Sequence, residues 1–332
     1  FIGKESMMRK VSFCSRSFPL KKAFRISRGA KNTAEVVTVE LIERGLRGRG
    51  EAVPYARYGE SVESVLEQID AIKNDLQNGI SNVNLNTLLP AGAARNAVDC
   101  ALWDLESKNT DTPVWKLLKR EEPKNVKTAM TISLDKPEIM AKDVTSYGKQ
   151  KLIKIKLNSK FVLESVSRIR SVAPQARIII DANESWTKEQ LKVWQSDLHK
   201  MKVDLIEQPL PAGEDNALSE FEHLIPICAD ESFHTSKDIK RMNGLYDCVN
   251  IKLDKTGGLT EGLKCIKKAS ENNLSVMLGC MIASSLSMAP ALLLASDASF
   301  VDLDGPFFLK EDVNPSLIST SGKLCYSSEL WG

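Results

Sequence analysis

The sequence lacks both a long apolar run and a long run of charges of one sign. No segment approaches the roughly 20 consecutive apolar residues that a membrane-spanning helix needs. The 45 basic and 43 acidic residues leave a formal net charge of +2. Nothing in this charge pattern indicates a nucleic-acid partner or a basic membrane-binding face. We therefore expect neither a nucleic acid nor a membrane as a partner, and composition leaves the oligomeric state open.

Paired cysteine motifs, low-complexity segments and long Gly/Ser linkers are absent as well. The seven cysteines form no Cys-x-x-Cys pair and are odd in number, so reduced thiols in a cytoplasmic protein are the simplest interpretation. The first ten residues, FIGKESMMRK, contain no apolar signal-peptide core, and a natural start can lie at Met7 or Met8. The 332 residues are enough for one large domain or two ordinary ones.

Short apolar runs alternate with amphipathic stretches from Lys127 onward. Successive runs begin 22 to 27 residues apart, which is the length of one strand plus one covering helix. Eight such units predict an α/β fold with a (β/α)8-type barrel over residues 126–305. The predicted strands begin at Lys127, Lys151, Ala176, Val203, Pro226, Cys248, Ser275 and Ser299.

The preceding residues have a different pattern, which predicts an α+β domain over residues 1–125. VVTVELIER and RGEAVPYARYGES are typical of antiparallel strands joined by Gly-rich turns. ESVESVLEQIDAIKNDLQNG and PAGAARNAVDCALWDLESK have helical spacing. Residues 306–332 do not continue the barrel period, and we expect them to return to the first domain.

Two lysines lie on one face of the second predicted barrel strand, KLIKIKLN. Lys154 and Lys156 alternate with Ile153, Ile155 and Leu157, and a strand has a side-chain period of two. A half-exposed sheet with a solvated lysine face would explain the pattern in isolation. In a barrel neither strand face is solvated, so these lysines are expected inside the barrel or near its mouth.

Acidic residues stand at the ends of the next three predicted strands. Asp181 ends the third strand, Glu207 the fourth, and Asp230, followed by Glu231, the fifth. The carboxyl ends of barrel strands form the active-site face, so these acids should converge there. Their mutual repulsion would be relieved by a hard divalent cation, for which Mg²⁺ is the default. Three separate helix caps or ion pairs are the alternative.

A second pair of lysines, Lys252 and Lys255, belongs to the sixth strand, opposite the second. Lysine is an effective general base when burial and nearby cations lower its pKa towards roughly 7–8. We therefore assign proton transfer to Lys156 and Lys252, and tuning of the Lys156 pKa to Lys154. An ion pair between Lys154 and one of the acids is the alternative.

These motifs together resemble the muconate-lactonising subgroup of the enolase superfamily. The resemblance implies a modified TIM barrel, (β/α)7β, with an α+β capping domain over essentially the whole chain, and lysine bases acting with Mg²⁺. It also implies supporting roles for Lys154, Lys255, Glu231 and Asn183. The matching motifs are K-x-K (Lys154, Lys156), D-x-N (Asp181, Asn183), E-Q-P (Glu207), D-E-S (Asp230, Glu231) and N-I-K (Lys252).

A D-x-D motif at the eighth strand, Asp302 and Asp304 in VDLDGP, is similar to that of the dipeptide-epimerase branch. In that branch these acids hold the α-ammonium of a dipeptide. YARYGES, LPAGAARNAVDCALWDL, NIKLDKTGGLTE and LGCM are similar to bacterial L-Ala-D/L-Glu epimerases of murein-peptide recycling. The resemblance implies further substrate-binding residues: Arg28 for the distal carboxylate, with Arg25 and Arg57 as weaker candidates, and Thr131.

The implied reaction is epimerisation at the α-carbon of the C-terminal residue of a small dipeptide. One lysine would remove the α-proton, Mg²⁺ would stabilise the enediolate, and the other lysine would protonate the opposite face. Alternatives within the subgroup are another dipeptide class, o-succinylbenzoate synthase, N-succinylamino acid racemase and cycloisomerase. Alternatives outside the subgroup are a Schiff-base aldolase and a non-catalytic scaffold protein.

Overall fold

The computed structural model describes residues 8–332. The possible start at Met7 and the first seven residues of the expected capping domain lie outside the described residues. All seven cysteines are free thiols. No helix in the described range is long and apolar enough to cross a membrane.

A three-stranded antiparallel sheet begins the chain, in the order β1-β2-β3. The first strand was not predicted from the sequence, because Pro19 and two adjacent lysines interrupt its alternation, and the pairing shifts register between Pro19 and Phe24. Val37 and Val39 of the second strand are buried against the helices that follow. The strands are β1 (Lys10–Ile26), β2 (Gly29–Glu43) and β3 (Leu46–Ala52).

Helices cover one face of this sheet. Gly50 of β3 allows the closest approach, because a Cβ atom there would lie 2.0 Å from the carbonyl oxygen of Ala97 in α4. A capping box formed by Ser61 and Ser64 starts α1. The helices are α1 (Val62–Ala71), α2 (Lys73–Gln77), α3 (Asn82–Leu88), α4 (Ala93–Thr110) and α5 (Val114–Leu117).

Eight parallel strands form the second sheet, in the order β11-β10-β9-β8-β7-β6-β5-β4. Its two edges meet through Ala129 N, which donates to Val301 O at 2.8 Å. The predicted modified TIM barrel with an α+β cap is confirmed. The strands are β4 (Met130–Ile132), β5 (Leu152–Lys156), β6 (Arg177–Asp181), β7 (Leu205–Glu207), β8 (Ile227–Ala229), β9 (Cys248–Ile251), β10 (Ser275–Leu278) and β11 (Phe300–Val301).

The strand connections lie outside the barrel and are mostly α-helical. A 3-10 helix at Asp215–Glu220 connects β7 to β8. The connecting α-helices are α6 (Pro137–Ser146), α7 (Val162–Val172), α8 (Lys188–Lys200), α9 (Ile239–Met242), α10 (Leu253–Thr256), α11 (Leu259–Glu271) and α12 (Ser285–Leu292).

The last residues of the chain pack on the cap. The fully buried Trp331 donates from Nε1 to the carbonyl oxygen of Cys100 in α4, at 3.0 Å. Val114 N donates to the carbonyl oxygen of Gly332 at 3.1 Å. These contacts support our proposal that residues 1–125 and 306–332 form one capping unit on the barrel of residues 126–305.

Buried carboxylates join the cap to the barrel. Glu51, on β3, accepts hydrogen bonds from the backbone N and the hydroxyl of Ser284 at 3.0 and 2.8 Å. Asp254, in α10, accepts from Val53 N and from the Asn96 amide, both at 2.9 Å. Because these groups are buried and hydrogen-bonded, they fix the position of the cap over the carboxyl ends of the strands.

Candidate active site

Three carboxylates meet at the carboxyl ends of adjacent strands. Asp181 ends β6, Glu207 ends β7, and Asp230 follows β8; the β6–β7 register pairs Asp181 with Glu207. One carboxylate oxygen from each residue lies within 4.8 Å of those from the other two, and all three side chains are buried. The structure therefore brings together the three acids that the sequence singled out.

The charges of this cluster are crowded, and a bound cation would relieve their repulsion. Burial and the neighbouring Asp181 raise the pKa of Glu207 to about 7. Its Oε2 lies 2.7 Å from Lys154 Nζ, yet within the described residues it accepts no hydrogen bond of acceptable geometry. Burial opposes ionisation of Asp181, but Lys156 and then Lys154 lower its pKa. Oxygen ligands around an under-coordinated buried carboxylate fit a hard divalent cation.

Lysines contact the acid cluster from two opposite sides. Lys156, at the end of β5, donates to Asp181 Oδ2 at 2.6 Å. Lys252, immediately after β9, donates to Asp230 Oδ2 at 2.7 Å. Strands β5 and β9 are four places apart in the eight-stranded order, so the two ammonium groups face each other across the carboxylates.

The other two lysines act as ion-pair partners. Lys154 Nζ lies 2.7 Å from Glu207, 2.8 Å from Asp302 and 3.2 Å from Asp181. Lys255 Nζ lies 2.7 Å from Asp230 Oδ1. The alternative interpretation of Lys154, an ion pair with a cluster acid, therefore describes its contacts.

The expected lowering of a base-lysine pKa is wrong for Lys252 in this arrangement. Burial alone would lower the pKa of Lys252, but Asp230 and Glu207 outweigh it and raise the pKa. The pKa of Lys154 is raised in the same way, by Asp302 and Glu207 against burial. The nearest charges to both lysines are carboxylates, not the cations expected from the sequence.

The D-x-D acids follow β11, and Lys154 contacts both Asp302 and the cluster acid Glu207. Asp304 Oδ2 accepts from the backbone N of Thr131 at 2.6 Å, and Thr131 Oγ1 lies 3.4 Å from Asp302. Burial and then the charge of Asp302 raise the pKa of Asp304 to about 8. Two buried acids with this crowding suit a cationic group in the cleft beside them.

The three arginines named from the resemblance have carboxylate partners. Arg28 Nη1 lies 2.8 Å from Glu231 and 3.1 Å from Glu184, and Arg57 lies 2.7 Å from Glu184. Both arginines line the cleft, whereas Arg25 is absent from its lining and forms an ion pair with Asp135 at 3.4 Å. Asn183 Nδ2 donates to Glu231 at 3.2 Å.

A cleft of about 360 Å³ lies between the cap and the barrel mouth. Phe24, Ile26, Met281, Ile282 and Phe308 form its apolar wall. Its polar wall includes the lysines of β5 and β9, both D-x-D acids, Arg28, Arg57 and Lys31.

Sequence reasoning missed Lys31. The stretch FRISRGAKN contains three cations, and only the pairing of Phe24 with Lys31 determines that Lys31 faces the cleft. A correct assignment of β1 would have supplied that signal.

Family models match both parts of the chain. The N-terminal domain of mandelate racemase / muconate lactonizing enzyme matches residues 8–119, and the enolase C-terminal domain-like family matches residues 140–315. An L-Ala-D/L-Glu epimerase of Escherichia coli is 45% identical over 96% of this chain and 99% of its own. An N-acetyl-D-glutamate racemase of a Pseudoalteromonas species is 42% identical over 90% and 95%.

Solved structures have the same fold. One is an enolase-family protein of Agrobacterium tumefaciens with homology to dipeptide epimerases, which contains bound sodium and L-Ala-L-Glu. It is 42% identical to this chain, with a TM-score of 0.95, and the match covers 98% of this chain and 100% of that protein. An Enterococcus faecalis dipeptide epimerase with Mg and L-Leu-L-Tyr is 27% identical with a TM-score of 0.88, over 97% and 98%. The chain therefore belongs to the mandelate racemase and muconate lactonizing enzyme family of the enolase superfamily, and it is an isomerase.

Proposed function

We propose that the protein is a Mg²⁺-dependent dipeptide epimerase that inverts the α-carbon of the C-terminal residue by two-base proton transfer. One observation carries the proposal: Lys156 and Lys252 flank the acid cluster from opposite strands, each within 2.7 Å of a cluster carboxylate. Inversion needs one group to remove a proton from one face and another to supply a proton to the opposite face. Two opposed lysines satisfy that requirement.

Asp181, Glu207 and Asp230 would hold the Mg²⁺. Their oxygen donors and the under-coordinated Oε2 of Glu207 support this assignment, and so does the E. faecalis dipeptide epimerase structure, which contains Mg. A bound divalent cation would offset the negative charge that develops on the substrate carboxylate as the α-proton leaves. The cation would also offset part of the negative charge that the three acids bring together.

The lysines carry out the proton transfers in the proposed mechanism. For one stereoisomer Lys156, as the neutral amine, accepts the α-proton and the Lys252 ammonium donates from the other side; for the other stereoisomer Lys252 is the neutral amine and Lys156 the ammonium. A cation held by Asp230 and Glu207 would offset the carboxylate charge that raises the pKa of Lys252. Lys154 and Lys255 hold their neighbouring carboxylates in place through their ion pairs. Asn183 and Glu231 support the cluster from the cap side, where Glu231 meets Arg28.

Asp302 and Asp304 are the proposed partners of the dipeptide's free ammonium. Their position after β11, together with the raised pKa of Asp304, supports binding of a cation there. A bound ammonium would favour the ionised form of Asp304. Thr131 positions both carboxyl groups through its backbone N and its hydroxyl.

The 45% identity to an E. coli L-Ala-D/L-Glu epimerase supports L-Ala-D/L-Glu as the substrate. Murein-peptide recycling is the role that the sequence resemblance implies. The 42% identity to an N-acetyl-D-glutamate racemase favours a second candidate, racemisation of an N-acylated glutamate. An acyl group carries no ammonium, so Asp302 and Asp304 favour the dipeptide. Both candidates share a glutamate as the reacting residue.

A library of dipeptides and N-acyl amino acids in D₂O with Mg²⁺ tests the proposal. Mass spectrometry should detect one α-deuterium, and chiral chromatography should detect inversion, with L-Ala-L-Glu among the best substrates. A dipeptide lacking a C-terminal carboxylate is the matched control and should not exchange. Absence of exchange with every dipeptide would refute the epimerase proposal, and exchange of N-acetylglutamate alone would support the second candidate.

A further inference from the structure

One short segment carries both lysines that bind Asp230. Lys252 stands immediately before α10, and Lys255 lies within it. Lys252 Nζ lies 2.7 Å from Asp230 Oδ2, and Lys255 Nζ lies 2.7 Å from Asp230 Oδ1. The backbone N atoms of Lys255 and Thr256 both donate to the carbonyl oxygen of Lys252 at 3.0 Å. The position of the Lys252 main chain therefore depends on the position of α10.

The segment around α10 needs support from outside. The helix contains only four residues, which is too few to be stable by itself. It ends at Gly257 and Gly258, whose φ angles of 80° and 114° lie in the region that favours glycine. The cap packs so closely against this turn that a Cβ atom at Gly257 would lie 2.4 Å from Arg95 Nε. Contacts with the cap therefore determine where the segment lies.

Arg95, on the cap helix α4, binds the end of α10. Its guanidinium donates from Nη2 to the carbonyl oxygen of Thr256 at 2.7 Å and from Nε to that of Gly257 at 3.1 Å. A third hydrogen bond, from Nη1, reaches the carbonyl oxygen of Leu89 at 3.3 Å. Carbonyl groups at the end of a helix lack intrahelical partners, and a cation there is favourable. Arg95 therefore ties the end of α10 to the cap.

The charge of Arg95 has no carboxylate partner within 4.0 Å among residues 8–332. The residue is only 7% exposed, and burial lowers its pKa against the opposing effect of Glu261 and Asp99. A buried charge that is held by carbonyl groups alone is costly for stability. Its contact with the segment that carries Lys252 supplies a functional reason for this cost.

The two lysines proposed as bases differ in their backbone support. Lys156 belongs to the β5–β6 ladder, where it pairs directly with Asp181. Lys252 lies one residue beyond Ile251, where β9 ends. The sheet itself therefore fixes the backbone of Lys156, whereas Lys252 depends on the turn that Arg95 binds. A change at Arg95 should affect the two lysines unequally.

We propose that Arg95 is a positioning residue that places Lys252 for proton transfer by holding the end of α10. This inference rests on the proposed function, because it assumes that Lys156 and Lys252 act on opposite faces of one α-carbon. Arg95 is absent from the cleft lining, so it acts through α10 and not through contact with the substrate. Its loss should impair proton removal from one stereoisomer, the one that Lys252 serves as base.

The test measures how fast deuterium from D₂O enters the recovered starting isomer, separately for L-Ala-L-Glu and L-Ala-D-Glu. Lys156→Ala and Lys252→Ala first establish which isomer each lysine serves. In Arg95→Met, deuterium uptake by the isomer that Lys252 serves should fall by at least about tenfold, because a small misplacement of a base is sufficient for such a loss. Uptake by the other isomer should change by less than about threefold. Epimerisation should slow alike in both directions, since each inversion uses both lysines.

Arg170→Met is the matched control. Among the described residues, the Arg170 side chain on α7 also donates only to carbonyl oxygens, including those of Ala176 at 2.6 Å and Lys202 at 2.9 Å, and it is absent from the cleft lining. This variant should keep the wild-type ratio of the two uptake rates. Arg95→Lys keeps a positive charge, so its ratio should lie between those of Arg95→Met and wild type.

Equal slowing of both isomers in Arg95→Met, or a wild-type ratio, would overturn the inference. Circular dichroism checks folding. If Arg95→Met does not fold, Arg95→Lys takes its place, and a wild-type ratio in that variant overturns the inference in the same way.

Backbone amide hydrogen exchange separates this inference from the proposed function, because it requires no turnover. In Arg95→Met, amides of residues 252–258 should exchange faster than in wild type, while those of residues 152–157 should not. Wild-type protein that takes up α-deuterium into neither isomer would refute the epimerase proposal. Faster amide exchange confined to residues 252–258 would still support the hold of Arg95 on α10, and unchanged amide exchange there would overturn the inference.

Discussion

Individual side chains in the cleft are held in place by charge balance. The ammonium of Lys154 contacts carboxylates from three different strand ends. Asp230 receives two lysines, Lys252 on one oxygen and Lys255 on the other. Because each charge has several partners, removal of one carboxylate affects the remaining charges as well as any bound cation.

Asp181→Asn and Glu207→Gln should each lower turnover by at least about 100-fold while leaving the fold intact, because each removes a charged cation ligand. Titration of Mg²⁺ by calorimetry should show the matching loss of affinity. Asp197→Asn, an exposed acid on α8, is the control and should behave as wild type. Full activity after thorough chelation would contradict the metal assignment.

Lys156→Ala and Lys252→Ala should each stop epimerisation, because inversion needs a proton transfer on both faces. Each variant should still exchange the α-proton of one stereoisomer with D₂O, with retention of configuration. The stereoisomer that exchanges should differ between the two variants. Lys267→Ala changes an exposed lysine on α11 and serves as the control. Near-wild-type epimerisation by either cleft variant would sink the two-base assignment and make Lys154 or Lys255 the next candidate.

At the level of secondary structure, the ends of strands bring the site together. β11 contributes the D-x-D acids just beyond its last residue, and β4 contributes Thr131, which hydrogen-bonds to Asp304. β3 reaches the barrel through Glu51 and the start of α12.

N-acetylation of the dipeptide should raise KM by at least about tenfold or stop turnover, because it removes the ammonium that pairs with Asp302 and Asp304. Steady-state kinetics with L-Ala-L-Glu and N-acetyl-L-Ala-L-Glu measures this directly. Methylation of the amino group keeps its charge and serves as the matched control. Equal kcat/KM for the free and acetylated dipeptides would rule out the assignment of these two acids.

Glu51 should make folding stability depend on pH. Burial raises its pKa from 4.5 to about 7, against the hydrogen bonds from Ser284. Between pH 4.5 and 7, Glu51 is therefore protonated in the folded state and ionised in the unfolded state. The free energy of unfolding should fall as the pH rises through this range.

Urea unfolding of wild type and Glu51→Gln at pH 5 and pH 8 measures the contribution of Glu51 to this pH dependence. The variant should lose less stability between the two conditions, because its amide does not titrate. Glu67→Gln, an exposed position on α1, should leave the wild-type dependence unchanged. Identical pH dependence in Glu51→Gln and wild type would show that Glu51 does not titrate in this range.

The barrel elements were predictable, and the cap sheet was only partly so. Parallel strands bring their carboxyl ends to one edge, so Asp181, Glu207 and Asp230 could be grouped from their spacing alone. The contacts of Lys154 and Arg28 could not be predicted from the sequence, because the rotamers that create their ion pairs depend on packing between distant segments. β1 was missed because its register shift hides the alternation of its side chains.

At the level of the whole molecule, the two chain ends and the barrel depend on one another. The cleft exists only where the cap covers the strand ends, and the segment after residue 305 packs back on α4 of the cap. Arg49 of β3 also donates to the carbonyl oxygen of Leu330. Loosening this segment should therefore affect the cap, although its residues lie far from the reacting centre.

Trp331→Ala should lower the free energy of unfolding by about 3–5 kcal/mol, because it leaves a cavity against α4 and removes the hydrogen bond to Cys100. Trp331→Phe keeps most of the apolar volume and should cost less. Urea denaturation gives both values. A change within experimental error for Trp331→Ala would show that the segment contributes nothing to the stability of the cap.

The β1–β2 turn supplies cleft residues that lie outside the barrel. Phe24, Arg28 and Lys31 lie in one stretch of eight residues in the cap, whereas the lysines proposed to transfer protons and the carboxylate cluster belong to the barrel. The cleft wall is therefore shared between this turn and the barrel, where Thr131, Asp302 and Asp304 line the same cleft. Grafting residues 24–31 from a homologue with a different substrate preference should change the preference of this protein while leaving the acid–base chemistry in place.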